Sequence, residues 1–179
     1  MSCFRILVYL WLIRVTCVSA DSLPASGPFK TSIASITDCA KPAKPYMKNP
    51  PVVFQSTTNN STLSGNITFF RDTKNMKIRV KSFIPRDGKW EQLYLINNLD
   101  CHGMVLHLIC VTMNIKYDRK NCLYYKGSYV FENLDVNQLL HLWVSTAPYG
   151  HIMWRSETYS QQGTFSCKEF ETVIEPAFS

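Results

Sequence analysis

The sequence lacks the short motifs by which common catalytic sites show themselves. It has no Gly-x-Ser-x-Gly elbow of the serine hydrolases, no phosphate-cradling glycine loop, no dinucleotide fingerprint and no His-Glu-x-x-His zinc helix. It also lacks any block of like charge. Lysine and arginine are scattered, with no basic run or basic-aromatic ladder to grip a phosphate backbone, which argues against nucleic acid as a partner. Beyond residue 20 no apolar run approaches the roughly 20 residues that a membrane-spanning helix needs, so no transmembrane segment is expected. Internal repeats and low-complexity tracts are absent too.

What is there begins with a segment typical of export. Arg5 precedes the apolar run Ile6 to Ile13, and Val18-Ser19-Ala20 ends in small residues suited to cleavage, so residues 1–20 read as a signal peptide. Arg14 is an awkward neighbour for such a run, and the competing reading is a retained anchor. Cleavage leaves residues 21–179, one domain's length and enough chain for a real core. It also removes Arg5 and Arg14, which lowers the formal net charge from +6 to +4. An exported chain meets oxidising conditions, so Cys39, Cys101, Cys110, Cys122 and Cys167 read first as two bridges and an odd thiol. Their spacing does not choose among the possible pairings. Asn59, Asn60 and Asn66 each open an Asn-x-Ser/Thr glycosylation pattern, which agrees with an extracellular, secreted protein.

Residues 21–38 are rich in Pro, Ser, Ala and Lys, and are expected to form a poorly ordered lead-in that becomes fixed near Cys39. The folded domain is placed at residues 39–175. Strand-like segments run from Val52 to Gln55, Leu63 to Arg71, Met76 to Ile84, Trp90 to Ile96, Ser128 to Phe131, His151 to Tyr159 and Thr164 to Ile174. Pro85-Arg86-Asp87-Gly88 has the composition of a turn, and Ser160-Gln161-Gln162-Gly163 that of a hairpin loop. Met104, Leu108, Val111 and Ile115 recur at three- and four-residue steps, which predicts a short helix within residues 98–115 with Asn98 as its cap. The pattern predicts an all-β fold, an antiparallel sandwich, barrel or cup with one short helix.

Candidate chemistry is thin. Of the histidines, His102 and His107 lie between Cys101 and Cys110, while His141 and His151 stand apart. That spacing fits no familiar zinc pattern, and export favours oxidised cysteines, so neither metal nor cofactor is expected. Asp72, Asp87, Asp100, Asp118 and Asp135 sit in turn-like surroundings where Asp commonly bonds nearby backbone. Acid-base catalysis would require two of them to converge in a cleft. The expectation is a protein without enzymatic activity.

In residues 76–81, Met76, Ile78 and Val80 alternate with Lys77, Arg79 and Lys81, the pattern of a strand with one wet face. Its dry face meets either a packed core or a hollow. Aromatic residues make up 13% of the chain and crowd the candidate strands, which suits both a filled sandwich and an apolar ligand pocket of roughly 300 to 1,000 Å³. Composition does not separate the two.

Four short stretches, taken in order with the cysteines, carry a resemblance. They are Leu63-Ser64-Gly65-Asn66-Ile67-Thr68, Arg86-Asp87-Gly88-Lys89-Trp90, Asp100-Cys101 with Met104, and Cys122 ahead of Lys126-Gly127-Ser128-Tyr129. From about Cys39 to Ile174 the chain resembles the insect chemosensory protein B family, which is itself similar to the ganglioside activator, a lysosomal lipid-transfer cofactor. The resemblance implies an antiparallel β-cup with an apolar cavity, a short helix and loops near its rim, and no catalytic centre. It implies bridges from Cys39 to Cys167 and from Cys101 to Cys122, with Cys110 left over. On the chain-entropy account the first would contribute roughly 4 to 5 kcal/mol and the second roughly 3 kcal/mol. The ganglioside activator has additional bridges that this chain cannot form, so sugar-headgroup recognition is not carried over.

The function so implied is a secreted, non-enzymatic binding protein for a lipid or other hydrophobic small molecule, serving contact chemosensation of pheromones. Ile78, Val80, Phe83, Trp90, Tyr94, Tyr129, Phe131, Leu139, Trp143, Ile152 and Trp154 are the expected wall or mouth. Leu139 to Trp143 hold more bulk than one strand face buries, which marks a rim in contact with membrane, ligand or partner. The alternative is a secreted accessory module that docks on a membrane receptor or channel and modulates it without carrying ligand. An enzyme with dispersed residues would instead bring polar groups together in the cleft.

Overall fold

Period-two alternation of apolar and polar residues dictates strands rather than helices. The computed structural model describes residues 25–40, 49–142 and 144–178 and is built mostly of strands. The signal peptide expected at residues 1–20 and Trp143 lie outside the described residues. In chain order the elements begin with β1 (Ser26–Gly27), β2 (Phe29–Asp38), β3 (Val52–Asn59), β4 (Thr62–Phe69) and β5 (Thr73–Lys74). β6 (Lys77–Arg86) and β7 (Lys89–Leu99) lead to helix α1 (Met104–Thr112), then β8 (Tyr117–Asp118), β9 (Leu123–Tyr124) and β10 (Gly127–Asp135). Helix α2 (Val136–His141), β11 (Ala147–Pro148), β12 (Gly150–Ser160) and β13 (Gly163–Pro176) complete the order.

Five long strands form one sheet in the order β2-β13-β12-β6-β7, and three form another in the order β10-β4-β3. Strands β5, β9 and β8 make a small third sheet, and β1 pairs β11. Every pairing is antiparallel. The result is the expected all-β sandwich, and all seven predicted strands are present.

Four expectations change. Residues 21–38 were expected to be poorly ordered, but Phe29 to Asp38 is a ten-residue strand paired along β13. Its cause is visible locally: Phe29, Thr31 and Ile33 are buried while Lys30, Ser32 and Ala34 are exposed, and no proline interrupts the run. The β6–β7 turn falls one residue later than composition suggested. Asp87 and Gly88 both take positive φ, 49° and 72°, the conformation a two-residue hairpin needs to match strand twist, while Pro85 stays in β6 opposite Trp90. Asn98 does not cap a helix. It lies in β7 at a bulge with φ 56°, and its side chain accepts from the Tyr159 hydroxyl at 2.8 Å. The predicted helix is α1, which starts after Gly103 without a side-chain cap. The bulky segment from Leu139 belongs in part to a second helix, α2, capped by the Asp135 side chain accepting from Asn137 N–H at 2.8 Å.

Both implied bridges are present. Cys39–Cys167 and Cys101–Cys122 have Cα separations of 5.4 and 5.5 Å, and Cys110 is free and buried. The first ties the end of β2 to β13, reinforced by Cys39 N–H donating to the Cys167 carbonyl at 3.1 Å. The second ties the approach to α1 to the approach to β9. Buried apolar residues gather in two clusters, one spanning the small sheets, α1 and β10 to β3, the other around Phe29, Ile84, Ile152 and Ile174. The two large sheets do not close fully between them.

Candidate functional site: a hollow between the sheets

The hollow follows from the alternation of β6. Met76, just before it, and Ile78 and Val80 within it line an apolar cavity of about 330 Å³. That volume lies within the range of roughly 300 to 1,000 Å³ common to small-molecule sites. Phe54 of β3 and Leu63, Ile67 and Phe69 of β4 form the opposite wall. Helix α1 contributes Leu106 and Ile109, Met113 follows at its C-terminal end, and α2 contributes Leu139 and Leu140, so the two helices close parts of the hollow that the sheets leave open. Trp154 of β12 is fixed in the wall: its indole N–H donates to Thr172 Oγ1 at 3.0 Å, and that hydroxyl donates to the Ile152 carbonyl at 3.1 Å.

Of the expected wall residues, Ile78, Val80, Tyr94, Leu139 and Trp154 line the hollow. The others do not. Phe83 shares the parity of Lys77, Arg79 and Lys81 and pairs with Met153 on the outer face. Trp90 is 42% exposed beside the β6–β7 turn. Tyr129 packs edge-on against Phe69, its hydroxyl donating to the Tyr125 carbonyl at 3.0 Å. Phe131 packs in the core beside the wall, stacked on Phe54 at 5.9 Å and covering Gly65. Ile152 is buried in the second cluster. Each is a core or surface residue for a nameable reason, parity or ring packing.

Sequence reasoning missed Phe54, Leu63, Ile67, Leu106, Ile109 and Leu140. It also missed a polar strip on β12 and β13. Ser156 and Lys168 are cross-strand partners, as are Thr158 and Ser166, and all four line the hollow. Their parity with Trp154 and Phe170 was the available signal.

The outer face of the same sheet is built differently. The Glu157 side chain is 2% exposed, and its two carboxylate oxygens accept from Arg79 Nη1 and Arg155 Nε, both at 3.1 Å. Arg79 Nε also donates to Asn97 Oδ1 at 2.9 Å, and its guanidinium lies 4.9 Å over the Tyr159 ring. Two cations thus satisfy the buried carboxylate, which points away from the hollow. Asp72, Asp100, Asp118 and Asp135 each accept a backbone N–H, from Lys126, His102, Lys120 and Asn137 respectively. Hydrogen bonds from Asn121 hold the exposed Asp118 carboxyl below its usual value. Those of Asp100, Asp118 and Asp135 are local turn and cap roles, while Asp72 ties its loop to the residue ahead of β10.

Among the described residues, the one grouping of metal-ligand types is Cys101, His102 and Cys122, and its two sulfurs are joined in a disulfide. His107 shares a hydrogen bond of 2.6 Å with the Tyr117 hydroxyl. Burial pushes the Cys110 thiol up to about 12, far from a reactive thiolate at neutral pH. Among the described residues no carboxylate or imidazole lines the hollow, and no helix is long and apolar enough to cross a membrane. Asn59 and Asn60 are exposed at the β3–β4 hairpin, whereas Asn66 is half-buried in β4 and accepts from Ser128 Oγ at 2.8 Å. No protein-family model and no curated protein matches the chain.

Proposed function

We propose that this protein is a secreted, non-enzymatic carrier of a lipid or other hydrophobic small molecule, serving contact chemosensation as the resemblance to the insect chemosensory protein B family implies. The single observation that supports the reading is the apolar hollow of about 330 Å³ between the sheets. Such a site works without reaction chemistry. Apolar surface leaves water at about 25 cal/mol per Å², so burying roughly 300 Å² of a hydrocarbon chain contributes about 7 kcal/mol before ordering costs. The two bridges fit an oxidising, extracellular setting.

The test is displacement of a fluorescent fatty-acid probe by alkanes and lipids of graded chain length. The expected result is saturable binding at one site per chain, with an optimum length set by the hollow. Failure of every chain length to bind overturns the carrier reading. One observation favours a docking module instead: Met104, Leu108 and Val111 are exposed along one side of α1, an apolar stripe suited to a receptor or channel surface. The same assay separates the readings, because a docking module takes up no probe.

A further inference from the structure

We infer that the hollow is built for a single-chain amphiphile with an anionic head, a long-chain carboxylate, whose head group sits at Lys168 and whose tail fills the apolar end. This rests on the carrier reading and names the ligand class. Among the described residues lining the hollow, Lys168 is the only charged one. An ammonium at the margin of an apolar space is costly unless an anion meets it. The partner it has is poorly placed to serve that purpose alone. Asp38 Oδ1 lies 2.7 Å from Lys168 Nζ, but the Asp38 side chain is 80% exposed and that of Lys168 15%. The lysine is held inward and its counter-ion stands in water, where an ion pair contributes little. A lysine ammonium has three N–H donors, so a ligand carboxylate can join or replace Asp38.

The surroundings fit a head group. Ser156 is the cross-strand partner of Lys168, and the next pair on the same face is Thr158 with Ser166, so three hydroxyl-bearing residues share this part of the lining. Hydroxyls can donate to a second carboxylate oxygen where most of the lining is aliphatic or aromatic. A neighbouring cleft of about 420 Å³ is lined by Asp38, Cys39 and Gln55 and shares Phe54, Ser166 and Lys168 with the hollow. The Lys168 ammonium lies 5.9 Å over the Phe54 ring, so these two side chains form the partition between cleft and hollow. The Cys39–Cys167 bridge adjoins both Asp38 and Lys168 in sequence and fixes this end. Chemistry alone leaves two anionic head groups, a carboxylate and a phosphate, and the experiment carries both.

The experiment titrates the full secreted protein with hexadecanoate, hexadecyl phosphate, hexadecanol and hexadecane against one fluorescent probe at neutral pH. At least one anion should bind about tenfold or more tightly than hexadecanol, as charge-assisted hydrogen bonds allow. Lys168→Met should bring that ratio close to one while moving hexadecanol affinity less than about threefold. Lys168→Arg should keep the preference, and Asp38→Asn should raise anion affinity by removing the competitor. Tighter binding of the phosphate than of hexadecanoate overturns the carboxylate assignment. Equal binding of anions and alcohol by the unaltered protein overturns the head-group site yet leaves the carrier reading intact. Equal loss of anion and alcohol in Lys168→Met makes the lysine structural. No binding of any of the four compounds removes both readings together.

Discussion

The two ends of the interior are filled by different kinds of side chain. In one, Tyr124 stacks on Phe69 at 5.7 Å and on Tyr117 at 5.5 Å, while Tyr129 meets Phe69 edge-on at 5.9 Å. In the other, the wall is mainly aliphatic, with Ile67, Ile78, Val80 and Ile96 facing empty space. Planar rings tile against one another and leave no gap, whereas branched chains on opposed sheets reach only part of the way across. Phe69 belongs to both regions, since it heads the stack and lines the hollow. The stack therefore acts as a spacer: it is the solid end that lets the other end stay open.

Breaking the solid end should have the largest effect. Tyr124 is 0% exposed, and its truncation in Tyr124→Ala leaves a cavity that neighbours fill only partly. A loss of about 3 to 5 kcal/mol is expected in urea unfolding, together with loss of probe binding as the walls sag. Ile78→Ala should cost less than about 2 kcal/mol, because part of that side chain already faces a void and has fewer packing contacts to lose. Equal costs at the two positions would erase the distinction. Tyr124→Phe offers a milder contrast. Among the described residues the buried hydroxyl has no hydrogen-bond partner, so its removal should be neutral or stabilising by up to about 1 kcal/mol.

The distinction also explains what the sequence could tell. All seven predicted strands are present because alternation is local, and Met76, Ile78 and Val80 do line the hollow. Ring-rich positions such as Tyr129 and Phe131 read as ligand-facing because aromatics are common in binding sites. Here they pack on Phe69 and Phe54, a matter of cross-strand neighbours that no single strand reveals. Phe83 was misplaced against its own parity with Arg79 and Lys81. Strand β2 was lost because the prolines around it outweighed the buried-exposed alternation of Phe29 to Ala34. Lys168 carried no signal of its own, and only register sets it beside Ser156 on the inner face.

Filling the open end should have an intermediate effect. Val80→Phe directs a ring into unoccupied volume, so stability should move by less than about 1 kcal/mol while probe binding disappears. The same addition of bulk in a tight place behaves oppositely. A Cβ on Gly65 would lie 2.2 Å from the Gln55 carbonyl oxygen and 2.8 Å from Phe131 Cζ, so Gly65→Ala should cost about 1 to 3 kcal/mol. Thermal melts paired with probe titration check both. A Val80→Phe protein that melts early yet still binds probe would mean that the hollow lies elsewhere.

The smallest effect concerns the border between the two ends. Cys110 of α1 is fully buried, lines the hollow and interacts with both Tyr117 and Tyr124. Burial raises its thiol from 9.0 to about 12, and burial raises the Tyr117 and Tyr124 hydroxyls in the same direction. The native state thus keeps a proton that the unfolded chain releases. Stability should be flat with respect to this group below pH 9 and fall as pH rises from about 9 towards 12, with the tyrosines steepening the fall above pH 10. Cys110→Ala should flatten the decline of the urea midpoint between pH 9 and pH 10, before the tyrosines contribute. The same burial predicts that a water-soluble thiol reagent labels Cys110 only as fast as the protein unfolds. Faster labelling would show that water reaches the sulfur through the hollow. The raised thiol and the dry aliphatic wall would then fall together, since both depend on the same exclusion of solvent.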